Sequence, residues 1–374
     1  MARITLGEVA REYKVALKDA SGLPVVGLEH LTSGEISLEH WDEGKETTFT
    51  KEFKKGQMLF GRRRAYLKKA ALAPFDGVCS GDIIVIEAIP GRMNPDLLPF
   101  IIQNDLLFDY AVGNSAGSLS PRVKWESLKN YTFELPEMDK QDKLVRLLKS
   151  AHAVKKSYRK LLEATDALVK SQFIEMFGEL GTDSKGWGLT TLGQCSILNP
   201  KRPRGIDDST LVSFVPMPAV SENGKIDCSD VRPYSEVKKG YTYFAEKDVI
   251  FAKITPCMEN GKGAVAEGLS NQIGSGSTEF HILRPVAGKT NPYWLYILTM
   301  FDSFRVGARK VMTGTGGQLR VPISYLEEFP ISVPPIELQD EFELIVHQSD
   351  KSKFELQQAI QRVDNLIKSL ISQE

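Results

Sequence analysis

The stretch Asp139–Phe177, DKQDKLVRLLKSAHAVKKSYRKLLEATDALVKSQFIEMF, decides the fold. It contains no Gly or Pro. Its apolar residues return every three or four places: Leu144, Leu147 and Leu148, Ala151, Val154, Tyr158, Leu161 and Leu162, Leu168 and Val169, Met176. Lys and Arg fill most of the gaps. That period predicts one unbroken helix, a rod of roughly 60 Å at 1.5 Å per residue. So long and narrow a seam asks for a partner helix, not a globular surface. The chain supplies one. Glu337–Ser372 also lacks Gly and Pro and carries Phe342, Ile345, Val346, Leu356, Ile360, Val363, Leu366, Ile367, Leu370 and Ile371.

Both rods have the same introduction. Tyr131-Thr-Phe-Glu-Leu-Pro136 and then Gln141 precede and open the first. Phe329-Pro-Ile-Ser-Val-Pro334 and then Gln339 do so for the second. The repeat continues upstream. Thr5-Leu6-Gly7 answers Thr191-Leu192-Gly193, and Phe53–Arg62 answers Phe244–Lys253. Ser80–Ile86 answers Ser277–Leu283, Asn94-Pro95 answers Asn291-Pro292, and Arg122-Val123 answers Arg320-Val321. The chain is therefore expected to be built as body (1–136), helix (137–178), body (179–335), helix (336–374). The first helix ends where the second body begins, and the second helix starts where that body ends. Paired helices joined in this way must run antiparallel. The expected class is α+β: two similar mixed α/β globular domains, joined and followed by long helices that pair as an intramolecular antiparallel coiled coil.

Within the bodies, strands are expected at 23–28, 58–61, 83–86, 211–216, 248–254, 263–266 and 278–283. A helix is expected at 96–110 and another at 292–306, each opened by an Asn-Pro cap. Glycine- and Ser/Thr-rich loops then lead to Arg122 (from Gly113-Asn-Ser-Ala-Gly-Ser-Leu-Ser120) and to Arg320 (from Thr313-Gly-Thr-Gly-Gly-Gln318).

Composition is that of an ordinary globular protein, with 42% hydrophobic and 25% charged residues. No apolar run reaches membrane-spanning length and the start is no signal peptide, so a cytoplasmic chain without membrane contact is expected. Cys79, Cys195, Cys228 and Cys257 form no Cys-x-x-Cys pair and read as buried or free thiols. His281 falls in an alternating strand pattern and reads as a strand residue. No metal site is expected.

Formal charge is −1, yet cations cluster locally. Lys51–Lys69 holds eight Lys and Arg against Glu52 alone, and Lys201, Arg202 and Arg204 form a second group. One such run is usually a solvated face. Clusters in both halves of a repeat point toward a surface for phosphates. Two places in each body suit that role: the excursion after the central strand (62–74 and 253–262) and the loop before the long helix. Short polar side chains and backbone N–H groups suit phosphate oxygens, while Arg, Lys, Asn and Gln suit base edges. The nucleic-acid-contact candidates in the first half are Arg62, Arg63, Arg64, Lys68, Ser120 and Arg122. In the second half they are Lys201, Arg202, Lys253, Thr255, Asn260, Lys262, Thr313, Thr315, Gln318 and Arg320.

Catalytic motifs are missing. Gly314-Thr-Gly-Gly-Gln-Leu319 lacks the third glycine of a dinucleotide motif, and Asn260-Gly-Lys-Gly263 lacks the rest of a phosphate loop. Asn291-Pro-Tyr-Trp294 is matched by Asn94-Pro-Asp-Leu97 and reads as a helix cap. Asp82 and Glu87 lack the lysine that a metal-dependent nuclease needs. No catalytic residue is assigned.

Taken together, the duplicated plan resembles the specificity subunits of type I restriction–modification systems. The local stretches that carry the resemblance are Ile250–Lys262, Gly276–Phe280, Thr313–Gln318 and Pro334-Pro-Ile-Glu337 with Gln339. The first half departs more, with Gly61-Arg-Arg-Arg-Ala-Tyr66 in place of the polar loop. The resemblance implies that each body is a target recognition domain for one half of a bipartite site in double-stranded DNA. It implies that the helices set the spacer and dock two modification (methyltransferase) subunits. No cofactor is expected in this chain; S-adenosylmethionine would sit on those partners. Two restriction (motor–nuclease) subunits would join in the restricting complex. The alternative is a coiled-coil scaffold for protein partners that does not bind DNA.

Overall fold

The computed structural model describes residues 2–44 and 46–372. It divides into two compact units. One comprises residues up to Arg159 together with those from Gln357, and the other is Lys160–Leu356. Each unit thus takes part of both long helices, Met138–Phe177 and Ile336–Ser372.

The first unit contains β1 (Ala2–Thr5), β2 (Ala10–Glu12), β3 (Val25–Val26), β4 (Lys51–Phe53), β5 (Met58–Gly61), β6 (Ala70–Leu72), β7 (Gly77–Cys79), β8 (Ile83–Ala88) and β9 (Thr132–Leu135). An antiparallel sheet runs in the order β2-β8-β5-β6. A smaller sheet runs β3-β7-β4, with β3 parallel and β4 antiparallel to β7. Strands β1 and β9 pair at the root of the long helix.

The second unit contains β10 (Leu189–Thr191), β11 (Ser196–Leu198), β12 (Leu211–Val215), β13 (Val231–Pro233), β14 (Thr242–Ala245), β15 (Val249–Ala252), β16 (Gly263–Val265), β17 (Ile273–Gly276), β18 (Phe280–Pro285), β19 (Thr313–Thr315), β20 (Gln318–Arg320) and β21 (Pro330–Ser332). Its sheets repeat the first unit's: β11-β18-β15-β16, β12-β17-β14 with β13 added at the edge, and β10 with β21. The sequence repeat is therefore a repeat of topology.

The central strands are apolar on both sides because both sides are covered. Met58, Phe60, Ile84 and Ile86 enter a core with the helices and with Val145 and Leu148 of the long helix. Leu59, Ile83 and Val85 point the other way, into a core with the small sheet. In the second unit Val249, Phe251 and Leu283 share a core with Phe173, Phe177 and Phe342, while Ile250, Ala252 and Ile282 face the small sheet's core. Strict alternation of this kind is what the period of two requires.

The long helices run antiparallel within each unit. In the second, Lys353 Nζ reaches Asp166 at 3.1 Å, and the Phe342 ring lies 5.5 Å from Phe173. In the first, Lys155 Nζ reaches Asp364 at 2.5 Å. Each helix is also locked to its own body. The Gln141 side chain, 1% exposed, donates to the Pro136 carbonyl (2.8 Å) and accepts from the Asn94 N–H (2.8 Å). Gln339, fully buried, donates to the Pro334 (2.8 Å) and Lys289 (3.0 Å) carbonyls and accepts from the Asn291 N–H (2.8 Å). Three separate marks of the sequence repeat meet in this one contact.

Some elements differ from the sequence reading. The expected helix 96–110 breaks in two, Leu98–Ile102 and Asp105–Gly113, because the Asn104 side chain caps a new start by accepting from the Leu106 N–H at 3.0 Å. The expected helix 292–306 is Pro292–Thr299 followed by Asp302–Lys310. Phe301 turns extended between them and buries its ring against Phe173. The stretch 313–320, read as a loop, is a β-hairpin. Its two central residues, Gly316 and Gly317, have φ of 63° and 77°, the left-handed pair that a tight two-residue turn demands.

Candidate nucleic-acid interface

Register builds the site. In the antiparallel pair β5·β8, Gly61 lies opposite Ile83; in β15·β18, Ala252 lies opposite Phe280. The next residue outward on each strand is then Arg62 beside Asp82, or Lys253 beside Glu279. The ladder continues one step past the strands: the Arg62 N–H donates to the Asp82 carbonyl and the Lys253 N–H to the Glu279 carbonyl, both at 2.9 Å. The loop that precedes the long helix joins on the other side. The Val123 N–H donates to the Arg62 carbonyl (3.0 Å), and the Val321 N–H to the Lys253 carbonyl (2.9 Å). Short antiparallel bridges Arg63↔Arg122 and Ile254↔Arg320 complete the join. The excursion and the pre-helix loop are thereby one surface in each unit.

A carboxylate holds each join. Arg122 grips Asp82 through Nε (2.7 Å) and Nη2 (3.2 Å). Arg320 grips Glu279 through Nε (2.9 Å) and Nη2 (2.7 Å). The two-pronged bond suits a planar guanidinium and a carboxylate. Hydrogen bonding to Arg122, helped by the charges of Arg63 and Arg62, holds the Asp82 carboxyl below its usual range. Arg320 does the same for Glu279, helped by Lys253 and His281. His281, on the strand that Glu279 introduces, is buried and donates from Nε2 to the Val321 carbonyl at 2.9 Å. Burial lowers its pKa.

The remaining candidates fall into groups. Arg63 is turned inward, with Nε donating to the Ser120 hydroxyl (2.6 Å) and Nη1 at 3.5 Å from Asp82. Arg62 donates to the Val123 carbonyl (3.2 Å). Arg64 is exposed, and its φ of 53° is left-handed, as is that of Lys68 at 50°. Two non-glycine residues in this region within five positions store backbone strain, which is concentrated at functional loops. Tyr66 and Leu67 between them are exposed, and Leu119 of the facing loop is 92% exposed. Lys68 turns away to Asp105 (2.6 Å).

In the second unit the Thr255 hydroxyl donates to the Gly317 carbonyl (2.8 Å) and accepts from the Leu319 N–H (3.0 Å), stapling the excursion to the hairpin. Thr313, Thr315 and Gln318 of the hairpin and Asn260 of the excursion are exposed. Lys262 is half-buried and reaches the Met217 carbonyl (3.4 Å).

The structure does not gather the rest. Arg202 donates to the Tyr241 carbonyl (3.3 Å) and lies over the Tyr234 ring, beside the β12–β14 layer, and Lys201 stands exposed next to it. Among the described residues, neither side chain bonds to the joined loops. The basic run 51–69 also disperses. Lys51 donates to the Ile83 carbonyl and pairs with Glu12, Lys54 pairs with Glu52 and Asp76, and Lys69 donates to the Leu28 carbonyl.

Three supports escaped the sequence reading. Asp82 and Glu279 stood opposite each other in the repeat, both acidic, and this was the available signal. Arg305 is buried, donates to the Met258 carbonyl under the 253–262 excursion and lies 5.5 Å from the Phe251 ring. Burial lowers its pKa to about 10. No signal marked it. Among the described residues no group of His, Cys, Asp and Glu gathers to hold a metal. No described helix is long and apolar enough to cross a membrane.

This duplicated scaffold has known counterparts. The chain is 42% identical over 158 residues to the EcoAI specificity subunit of Escherichia coli and 40% identical over 153 residues to the EcoEI one. Its curated relatives are type I specificity subunits. Each match covers about two fifths of this chain (41% and 40%) and about a quarter of the relative's length (26% and 25%). No protein-family model matches. Solved structures match over nearly the whole chain. A chain from a study of complex assembly and conformational transition in the type I R-M system superposes with TM-score 0.54 at 18% identity, covering 99% of this chain and 96% of that one. The S subunit of the M. genitalium type I system gives 0.51 at 11%, with the same coverage. At those identities the likeness is one of fold.

Proposed function

We propose that this chain is the DNA-specificity subunit of a type I restriction–modification complex. Each unit reads one half of a bipartite duplex site through its joined excursion and pre-helix loop. The observation that carries this reading is the duplicated join: one frame built twice, with the same carboxylate–arginine pair, displaying different loop side chains. Arg64, Tyr66 and Leu119 stand out on one copy; Gln318, Thr313, Thr315 and Asn260 stand out on the other. Two copies of one reader with different faces suit two different half-sites. The relatives' names support the same reading.

In this proposal the paired helices set the number of unread base pairs between half-sites and dock the methyltransferase subunits. Methyl transfer belongs to those partners, which bring S-adenosylmethionine; this chain supplies recognition and no chemistry. The deciding experiment maps methylated adenines in genomic DNA exposed to this chain together with its modification partner. Methylation confined to one bipartite motif is expected. Unpatterned methylation, or methylation unaffected by leaving out this chain, would return the chain to the scaffold class.

A further inference from the structure

We infer that Arg122 and Arg320 are positioning residues rather than DNA ligands, and that Asp82 and Glu279 set the specificity of the loops they hold. This rests on the DNA-reading function just proposed and deepens it. Both guanidinium groups spend their two-pronged donor edge on a carboxylate within their own unit, at 2.7–3.2 Å. A phosphate or guanine approaching by that edge would have to displace the carboxylate, and the far side of Arg320 is also engaged, with Nη1 donating to the Gln318 carbonyl at 3.1 Å. The backbone of each arginine is meanwhile bridged to the excursion, at Arg63 or Ile254. The ion pair therefore fixes where the excursion lies relative to the pre-helix loop. It also neutralises a cation, although the side chain stays 44% exposed at Arg122 and 40% at Arg320. An arginine released here would add a sequence-blind charge at the centre of the reading surface.

The pair has the same parts in both units although the loops around it differ. Arg62-Arg63-Arg64 in one becomes Lys253-Ile254-Thr255 in the other. The second copy uses glutamate where the first uses aspartate, so the requirement is a carboxylate and not one side-chain length.

The two roles predict opposite signs for one variant. If the pair positions the loops, Asp82→Asn tightens binding to arbitrary DNA while weakening discrimination. Freed Arg122 gains a phosphate, which steepens the salt dependence of log affinity by about 0.9. Loss of loop register costs roughly tenfold discrimination, the scale of one good bidentate base contact. The loss falls on the first unit's half-site only. Glu279→Gln does the same to the other half-site only.

The test uses the full chain and a pool of duplexes randomised over about 25 base pairs, selected and sequenced at fixed salt and then titrated with salt. Wild type, Asp82→Asn, Glu279→Gln and Asp82→Glu are compared, with thermal unfolding as the folding control. Enrichment by Asp82→Asn of a motif degraded in one half, with tighter binding to unselected DNA and recovery in Asp82→Glu, supports the inference. An Asp82→Asn motif identical to wild type overturns it, and so does loss of all DNA binding, which would make Arg122 an ordinary ligand dependent on its neighbour. Failure of wild type to enrich any two-part motif would instead overturn the DNA-reading function on which the inference stands. If Asp82→Asn melts early, the discriminating variant is Arg122→Lys, which keeps the charge but loses the two-pronged grip. Retention of the full motif by a folded Arg122→Lys would refute the positioning role.

Discussion

Replacing Gln339 by leucine should cost more stability than the same change at Gln141, by an amount that the hydrogen bonds specify. Gln339 makes three bonds, two of them buried: it donates to the buried Pro334 carbonyl and the part-exposed Lys289 carbonyl, and accepts from the buried Asn291 N–H. Gln141 makes two, to Pro136 and Asn94. Losing a bond to a buried partner costs about 1–3 kcal/mol, and losing one to a part-exposed partner about 1 kcal/mol. Leucine recovers roughly 1 kcal/mol of apolar transfer at a fully buried site. The sums come to about 2–6 kcal/mol at Gln339 and about 1–3 kcal/mol at Gln141, where Asn94 is only half-buried and water can replace part of the loss. Units of this size lose about 2–4 °C of melting temperature per kcal/mol. Peptide-resolved hydrogen exchange is the right assay, because the two units need not melt together. Protection should fall first around 289–295 and 336–346 for Gln339→Leu, and around 94–98 and 138–148 for Gln141→Leu. Gln339→Glu should be at least as harmful at neutral pH, since it presents a buried anion to two carbonyls. A loss below about 1 kcal/mol at Gln339, or a larger loss at Gln141, would refute the lock as the element that fixes helix to body.

Other outcomes follow from the same geometry. Arg64→Gln should flatten the salt dependence of DNA binding by about 0.9, and Lys68→Gln by much less because Lys68 is occupied by Asp105; equal effects in a filter-binding titration would contradict this. Gln318→Ala should relax a single position of one half-site at a cost of about 1–3 kcal/mol, read by competition among single-base variants; a uniform loss would demote it to a backbone contact. Asp82 and Glu279 are both held below the usual carboxylate range by their arginines. Their stabilisation should be complete above about pH 5 and fade as pH falls through the lowered folded values. A carboxyl-carbon NMR midpoint at or above the ordinary value, about 3.9 for Asp82 or about 4.3 for Glu279, would refute that. One heptad inserted after Leu161 and one after Ala359 keeps the seam in phase and adds about 10 Å. The preferred spacer should grow by about three base pairs with half-site bases unchanged; an active variant with its spacer unaltered would end the ruler idea.

What the sequence made legible was whatever has a period or a copy. The long helices announce themselves by an apolar seam without breakers. The lock is legible because Pro136, Gln141 and Asn94 each have a counterpart at the same place in the second half. The hairpin at 313–320 was missed although Gly316-Gly317 is a hairpin turn in itself; three flanking Thr and Gly residues disguised two very short strands as loop. The helix breaks were missed because no Gly or Pro stands at either one; the polar triplet Gln103-Asn104-Asp105 reads as one exposed turn of a continuing helix until the chain turns and Asn104 caps a new start. The basic run was over-read for a different reason. Lys51, Lys54 and Lys68 are neutralised by Glu12, Asp76 and Asp105, which lie some distance away in sequence and close only in the fold. Charge runs report composition along the chain, while a phosphate senses only the cations that tertiary pairing leaves over.

The distribution of sameness and difference between the two halves separates frame from face. The offset that carries Gln141 onto Gln339 also carries Lys155 onto Lys353 and Asp166 onto Asp364. Each unit accordingly holds one copy of the same cross-helix bridge, Lys155–Asp364 in the first and Lys353–Asp166 in the second. Lock, bridge, central sheet and carboxylate–arginine pair are thus all built twice from like residues. The excursions are not: one is cationic and apolar, the other polar, and only the polar one is stapled by Thr255 to a glycine hairpin. A stability requirement alone would explain the shared parts and leave the loops free to drift toward bland solvated sequence. Instead the first unit keeps two strained left-handed residues, Arg64 and Lys68, on its excursion and a nearly naked Leu119 on the facing loop, backbone strain and apolar exposure that both cost folding energy. Strain and apolar exposure placed where two held loops meet are what a surface shaped for another molecule would carry.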